Sequence, residues 1–170
     1  MLSQEDRDRC EKWGLPRGEI DDFVARLMQD LDAFCRGVRA LLPESSRDLH
    51  CGRLVSTYVG ASGQLGLHVG AIWCPTDDCG GDLLDISYGV SRPREPEADI
   101  TISLGAFVME CGYLFPPVEQ DVRCASATSR ITALAPAVEL LGRSLAGREA
   151  VLADGIVTLQ RNGGWWPAGG

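Results

Sequence analysis

Apolar residues recur every three or four positions from Glu19 to Leu42, and this spacing predicts one long amphipathic helix. Asp21 and Asp22 lie near its predicted start, where the helix dipole favours negative charge, and Pro43 is expected to end it. The apolar stripe comprises Ile20, Phe23, Val24, Leu27, Leu31, Phe34, Val38 and Leu41. We expect this stripe to pack on the core.

Residues 1–15 are expected to form an N-terminal arm or a short helix. Ser3 can cap such a helix, since a serine side chain accepts hydrogen bonds from the amides of the first turn. Gly14 and Pro16 are residue types that end helices. We expect Trp13 to fold back onto the rest of the protein.

From Arg53 onward the apolar period changes to two, which is typical of β-strands. Four segments alternate in this way, and residues 60–63 predict a turn between the first two. The alternation predicts an antiparallel meander with one face on the core and the other toward water. Gly112 is expected to bend the fourth strand before Phe115. The four strands are predicted at residues 53–59, 65–73, 83–90 and 100–108.

After Pro116 and Pro117 the spacing becomes helical again, and Pro136 should kink or divide this region. The apolar residues 156–159 lead into Asn162-Gly163, a dipeptide that favours a two-residue hairpin turn. The sequence therefore predicts a second helical region followed by a terminal β-hairpin. The helical stripe comprises Ile131, Leu134, Val138, Leu141 and Leu145.

Together these elements predict a single α+β domain over residues 1–170. Its centre is a four-stranded antiparallel meander, packed on one face by the N-terminal amphipathic helix and the Pro-kinked C-terminal helical region, with a terminal β-hairpin added. A chain of 170 residues is long enough to bury a hydrophobic core without disulfides or a metal.

Several features of composition indicate a cytoplasmic protein. The first ten residues contain no apolar run, so we expect no signal peptide, and no apolar stretch reaches the ~20 residues of a membrane span. Seven cysteines, an odd number, are more typical of reduced thiols than of a disulfide framework. Fifteen arginines accompany the single Lys12, a bias associated with high-GC bacterial genes.

The stretch from Cys51 to Val122 is acidic. It holds ten acidic residues against three arginines and no lysine, a net −7 of the −8 carried by the whole chain. Such a field attracts cationic partners and repels nucleic acid, and the chain has no basic stripe. We therefore expect a basic protein partner and neither a nucleic acid nor a membrane partner.

Two sets of candidate site residues follow from these patterns. The first set is a docking surface of acidic loop and strand residues with one tryptophan of the terminal hairpin. The second set is a ligand pocket on the polar sheet face, where a histidine, a carboxylate and a hydroxyl would share one side of neighbouring strands. The docking set is Asp77, Asp78, Asp82, Asp85, Glu95, Glu97 and Trp166, and the pocket set is His68, Asp85 and Ser87.

We expect neither a metal nor a cofactor. Cys74 and Cys79 flank four residues with His68 nearby, but a structural zinc site needs a second pair of ligands, and the sequence offers only scattered candidates for one. The aspartates near Asp82 do not follow the spacing of a calcium-binding loop. No phosphate-binding glycine motif or catalytic signature is present.

The leading hypothesis is an acidic protein-binding module, of the immunity or antitoxin type, that inhibits a basic bacterial toxin or effector. One alternative is a small-ligand-binding protein or an enzyme with its pocket near His68 and Asp85. A second alternative is an acidic secretion-type chaperone. A homodimer formed through an edge strand or the terminal hairpin is a further expectation.

Overall fold

The computed structural model describes residues 2–59, 65–74, 84–91, 99–108, 112–124 and 129–161. Within these ranges the chain is an α+β protein with four helices and five strands, which confirms the predicted class. The helices are α1 (Gln4–Lys12), α2 (Arg17–Leu41), α3 (Arg130–Leu145) and α4 (Glu149–Arg161). The strands are β1 (His50–Val59), β2 (Leu65–Cys74), β3 (Leu84–Ser91), β4 (Ile100–Val108) and β5 (Gly112–Val122).

The two N-terminal helices follow the pattern of the sequence. Helix α2 buries its apolar stripe from Ile20 to Val38, as the spacing predicts, whereas Leu41, the last residue of the predicted stripe, is 56% exposed. Helix α1 begins at Ser3, whose hydroxyl accepts a hydrogen bond from the amide of Asp6 at 3.1 Å. Gly14 adopts a positive φ of 87° directly after this helix, and Trp13 is buried against the core.

The strands form one antiparallel sheet in the order β1-β2-β3-β4-β5, so every strand pairs with its neighbour in sequence. Alternate residues are buried along β3 and β4, and their buried side chains join those of all four helices in one core. This arrangement confirms the meander with helices on one face. In the described part of the chain, no helix is both long and apolar enough to cross a membrane.

The segment after Gly112 corrects the prediction. It is a fifth strand, β5, and the helical region begins only at Arg130. Pro116 and Pro117 lie inside β5, at a register shift where these two residues oppose the single residue Gly105 of β4. Strand prolines are tolerated there because β5 is an edge strand and a bulge needs no ladder donor.

The C-terminal region corrects two further expectations. Helix α3 continues through Pro136, and the break falls at Gly147, whose φ is 81°. Residues 156–159, predicted as a strand, belong to helix α4, which buries Leu152, Ile156 and Leu159 at helical spacing. A short apolar run fits either period, and burial against the helical layer decides for the helix. The predicted turn at 162–163 lies outside the described residues.

Candidate functional site

The sheet has a second face, turned away from the four helices, which we call the open face. Its floor consists of small residues on adjacent strands, because glycine and serine alternate with the buried core residues of β2, β3 and β4. Gly70 pairs with Ser87, and Gly89 pairs with Ser103. A floor without large side chains leaves room above the middle of the sheet.

His68 on β2 and Asp85 on β3 meet above this floor. The imidazole Nε2 of His68 lies 3.1 Å from the Asp85 Oδ2, and both side chains are mostly buried. Asp85 Oδ1 and His68 Nε2 have no aligned hydrogen-bond partner within the described ranges. The contact is therefore a close approach without an aligned hydrogen bond, and the buried Oδ1 of Asp85 is left without a donor in the described part of the chain.

Gly70 lies directly beneath the pair. A methyl group at Gly70 would come within 2.8 Å of His68 Nε2 and 2.9 Å of both Asp85 Oδ1 and the Ser87 Cβ. Three side chains thus converge on the space that a larger residue would fill. The structure brings His68, Asp85 and Ser87 together at one point of the open face.

Aromatic rings form the walls of a cleft around this point. Tyr58 from β1, Phe107 from β4 and Tyr113 from β5 are all at least 39% exposed. The Phe107 and Tyr113 rings meet edge to face with their centroids 5.6 Å apart. Together with His68 and Asp85 they line a cleft of about 240 Å³.

The open face is acidic where the structure describes it. Asp85, Glu119 and Asp121 point to this face, whereas the strand residues described on it include no lysine or arginine. Arg53 on β1 points to the helix side, where it forms an ion pair with Asp32 of α2. The cleft therefore opens on a surface of one sign.

No family model, curated protein or solved structure matches this chain. The function must therefore be inferred from the residues of the open face. This face offers a carboxylate with an unpaired oxygen, three exposed aromatic rings and acidic neighbouring side chains.

The other predicted docking residues lie outside the described ranges. These residues are Asp77, Asp78, Asp82, Glu95, Glu97 and Trp166. Cys79, which forms the candidate zinc-ligand pair with Cys74, lies outside these ranges as well. Among the residues that the structure does describe, no group of three or more histidine, cysteine or carboxylate side chains is placed to hold a metal ion.

The aromatic walls were absent from the sequence-based site. Phe107 could have been found from the sequence, because it occupies an outward-facing position of β4 between the buried residues Ala106 and Val108. The sequence indicates Tyr58 and Tyr113 less clearly. Their approach to the cleft depends on strand register, since the Tyr58 ring lies over its cross-strand partner Gly66.

Proposed function

We propose that this chain is an acidic protein-binding module whose open face receives a basic segment of a partner protein. The observation that carries the proposal is the Asp85 carboxylate, which lines an aromatic-walled cleft and whose buried Oδ1 has no donor in the described part of the chain. In its specific form, the module is an immunity- or antitoxin-type inhibitor of a basic bacterial toxin or effector.

The chemistry of the cleft suits a cation. A guanidinium or ammonium group donates a charge-assisted hydrogen bond to a carboxylate and is attracted to aromatic faces within about 6 Å. Asp85 supplies the first, and Tyr58, Phe107 and Tyr113 are placed to supply the second. An arginine or lysine side chain inserted from a partner satisfies both.

The size of the cleft favours one inserted side chain over a free metabolite. Its volume is about 240 Å³, below the roughly 300–1,000 Å³ of sites that enclose drug-sized ligands. Exposed aromatic residues around a central charge are also typical of protein interfaces, where a few such anchors carry most of the binding energy. The acidic surround accelerates the encounter with a basic partner.

A second candidate is an enzyme or small-ligand-binding protein that uses the same cleft. The 3.1 Å approach of His68 to Asp85, with Ser87 beside them, favours it, because acid–base chemistry requires such proximity. This candidate predicts that a neutral small molecule binds the cleft as well as a cation does.

The cleft is tested by nuclear magnetic resonance on the whole ¹⁵N-labelled protein, titrated with N-acetyl-arginine amide and with its neutral citrulline analogue. We expect the arginine probe alone to shift the amides of Gly70, Gly89 and Phe107. Asp85→Asn should weaken this binding at least about tenfold. Asp154→Asn, which removes an exposed charge on α4, is the matched control.

Equal shifts from the citrulline analogue would favour the small-ligand candidate. Unchanged arginine binding by the Asp85→Asn protein would exclude a cation site at Asp85.

The partner is tested by affinity capture from the native host with salt-graded elution. We expect the wild-type protein to capture a basic protein that salt elutes. The Tyr113→Ala variant should fail to capture it, whereas the control Leu140→Ala, at an exposed position of α3, should bind it like wild type. Loss of the captured protein's toxicity on binding identifies an inhibitor, whereas an unaltered activity identifies the secretion-type chaperone. The binding-module proposal fails when no protein is retained at low salt.

A further inference from the structure

The aromatic-walled cleft contains a histidine in direct contact with its central carboxylate. His68 Nε2 lies 3.1 Å from Asp85 Oδ2, and the two side chains are 25% and 17% exposed. Phe107 is the cross-strand partner of Asp85, and all three residues line the same cleft. A cation held by Asp85 would therefore be a close neighbour of the imidazole ring.

The short distance between the two side chains decides where the ring carries its hydrogen. Two acceptor atoms repel each other at 3.1 Å, so Nε2 carries the hydrogen in the neutral ring. A second proton enters at Nδ1 and gives the ring a positive charge. Proton uptake thus turns the contact between a neutral ring and a carboxylate into an ion pair.

The burial of the pair makes this internal cation effective. Both side chains are mostly shielded from water, and charges interact more strongly, with less screening by salt, where water is excluded. A second cation entering the cleft would meet a neutralised carboxylate and an imidazolium of its own sign. The proton and the cation of a partner therefore compete for Asp85.

The ionisable side chains that share the open face with His68 are carboxylates, tyrosines, one thiol and one further histidine. In general, carboxyl groups, thiols and phenols titrate outside pH 5–8, whereas histidine titrates within this range. Strand β4 contributes no ionisable side chain. The set in the described strands is His50 and Tyr58 of β1, Cys74 of β2, Asp85 of β3, and Tyr113, Glu119 and Asp121 of β5.

The second histidine, His50, provides a natural control. It is exposed at the start of β1 and pairs with Cys74, which lies six residues along β2 from His68, or roughly 20 Å. The whole chain contains two histidines. A pH effect in the cleft can therefore be assigned by substituting each of them in turn.

We propose that His68 makes the cleft a pH-dependent binding site, which holds the cationic side chain of a partner while the ring is neutral and releases it when the ring takes up a proton. The inference rests on the proposed function, because it concerns the same cation site at Asp85. Thermodynamic linkage adds a second consequence, since a cation bound at Asp85 must oppose the protonation of His68 to the same extent.

The first test measures the affinity of the whole ¹⁵N-labelled protein for N-acetyl-arginine amide at about pH 8 and about pH 5. We expect wild type to bind at least about tenfold more weakly at the lower pH. His68→Gln keeps a polar side chain that cannot become charged, so its affinity should be equal at both pH values. His50→Gln should retain the pH dependence of wild type.

The second test uses wild type alone, so its result is independent of how the variants fold. The Cε1–H ring resonances of both histidines are followed against pH, with and without a saturating amount of N-acetyl-arginine amide. The probe should move the midpoint of the His68 titration to lower pH and leave the midpoint of His50 unchanged.

The possible outcomes distinguish a failure of this inference from a failure of the proposed function. Equal binding by wild type at both pH values, or a pH dependence that persists in His68→Gln, overturns the role of His68 while the cation site remains. An unchanged His68 midpoint in the presence of bound probe overturns it as well. If the probe does not bind at about pH 8, both proposals fail.

Discussion

His68 approaches Asp85 across a diagonal of the sheet, over a glycine. His68 pairs with Gly89 and Asp85 pairs with Ile72, so the two residues are offset by four positions, or roughly 13 Å along the strands. Their side chains nevertheless come within 3.1 Å by leaning toward each other above Gly70. The approach of His68 to Asp85 therefore requires that position 70 has no side chain.

Gly70→Ala should separate His68 from Asp85. The added methyl group would lie under 3.0 Å from both side chains, and we expect a cost of about 1–3 kcal/mol in unfolding free energy. Denaturant unfolding gives this cost, and the ring resonances of His68 report the lost contact. Gly18→Ala meets nothing within 4 Å and should instead stabilise α2 by about 0.5–1 kcal/mol. Equal effects of the two substitutions would contradict this explanation.

The substitution Gly155→Ala should have two opposing effects on stability, one from helix propensity and one from packing. Alanine favours the helix by about 1 kcal/mol, but its methyl group would lie 2.9 Å from the Leu114 Cδ2 on β5. We expect net destabilisation of about 1 kcal/mol in wild type. In a Leu114→Ala background the clash is gone, so the same substitution should stabilise. A double-mutant cycle without this reversal of sign would show that the two residues do not collide.

Asp6 should contribute to acid sensitivity where α1 meets β1. Its carboxylate accepts hydrogen bonds from Ser3 and Thr57, which hold its pKa below the ordinary value of 3.8. A lowered folded pKa means stabilisation that is complete above about pH 4 and is lost as the pH falls through the lower folded value. The Thr57 amide resonance should therefore titrate with a midpoint below 3.8.

The same prediction has a thermodynamic form. The stability difference between wild type and Asp6→Asn should shrink between pH 6 and pH 2. Asp48→Asn, an exposed substitution, serves as the control. A difference that stays constant over this range would mean that the Asp6 charge does not hold α1 in place.

Much of the fold could be predicted from periodicity. The stripe of α2 and the alternation in β3 and β4 each extend over enough residues to select one period, and the antiparallel meander followed from them. Residues 156–159 are too few to distinguish a strand from a buried helix turn. Pro116 and Pro117 indicated the end of a strand, although an edge position with a bulge accommodates both.

The sequence predicts on which face of the sheet the candidate site lies, but not that its side chains come close together. Strand parity alone placed His68, Asp85 and Ser87 on one side of the sheet. Their convergence depends on a register that single strands do not encode and on the empty position at Gly70.

The prolines of β5 also limit how copies of this chain can assemble. Within the residues that the structure describes, the sheet ends at β1 on one side and at β5 on the other, and Pro116 and Pro117 have no N–H to offer an added strand. Strand addition is therefore impeded at both of these edges, because the Thr57 N–H on the edge of β1 already donates to Asp6 of α1. Prolines on one edge strand and an occupied amide on the other thus protect the protein against edge-to-edge polymerisation into fibres.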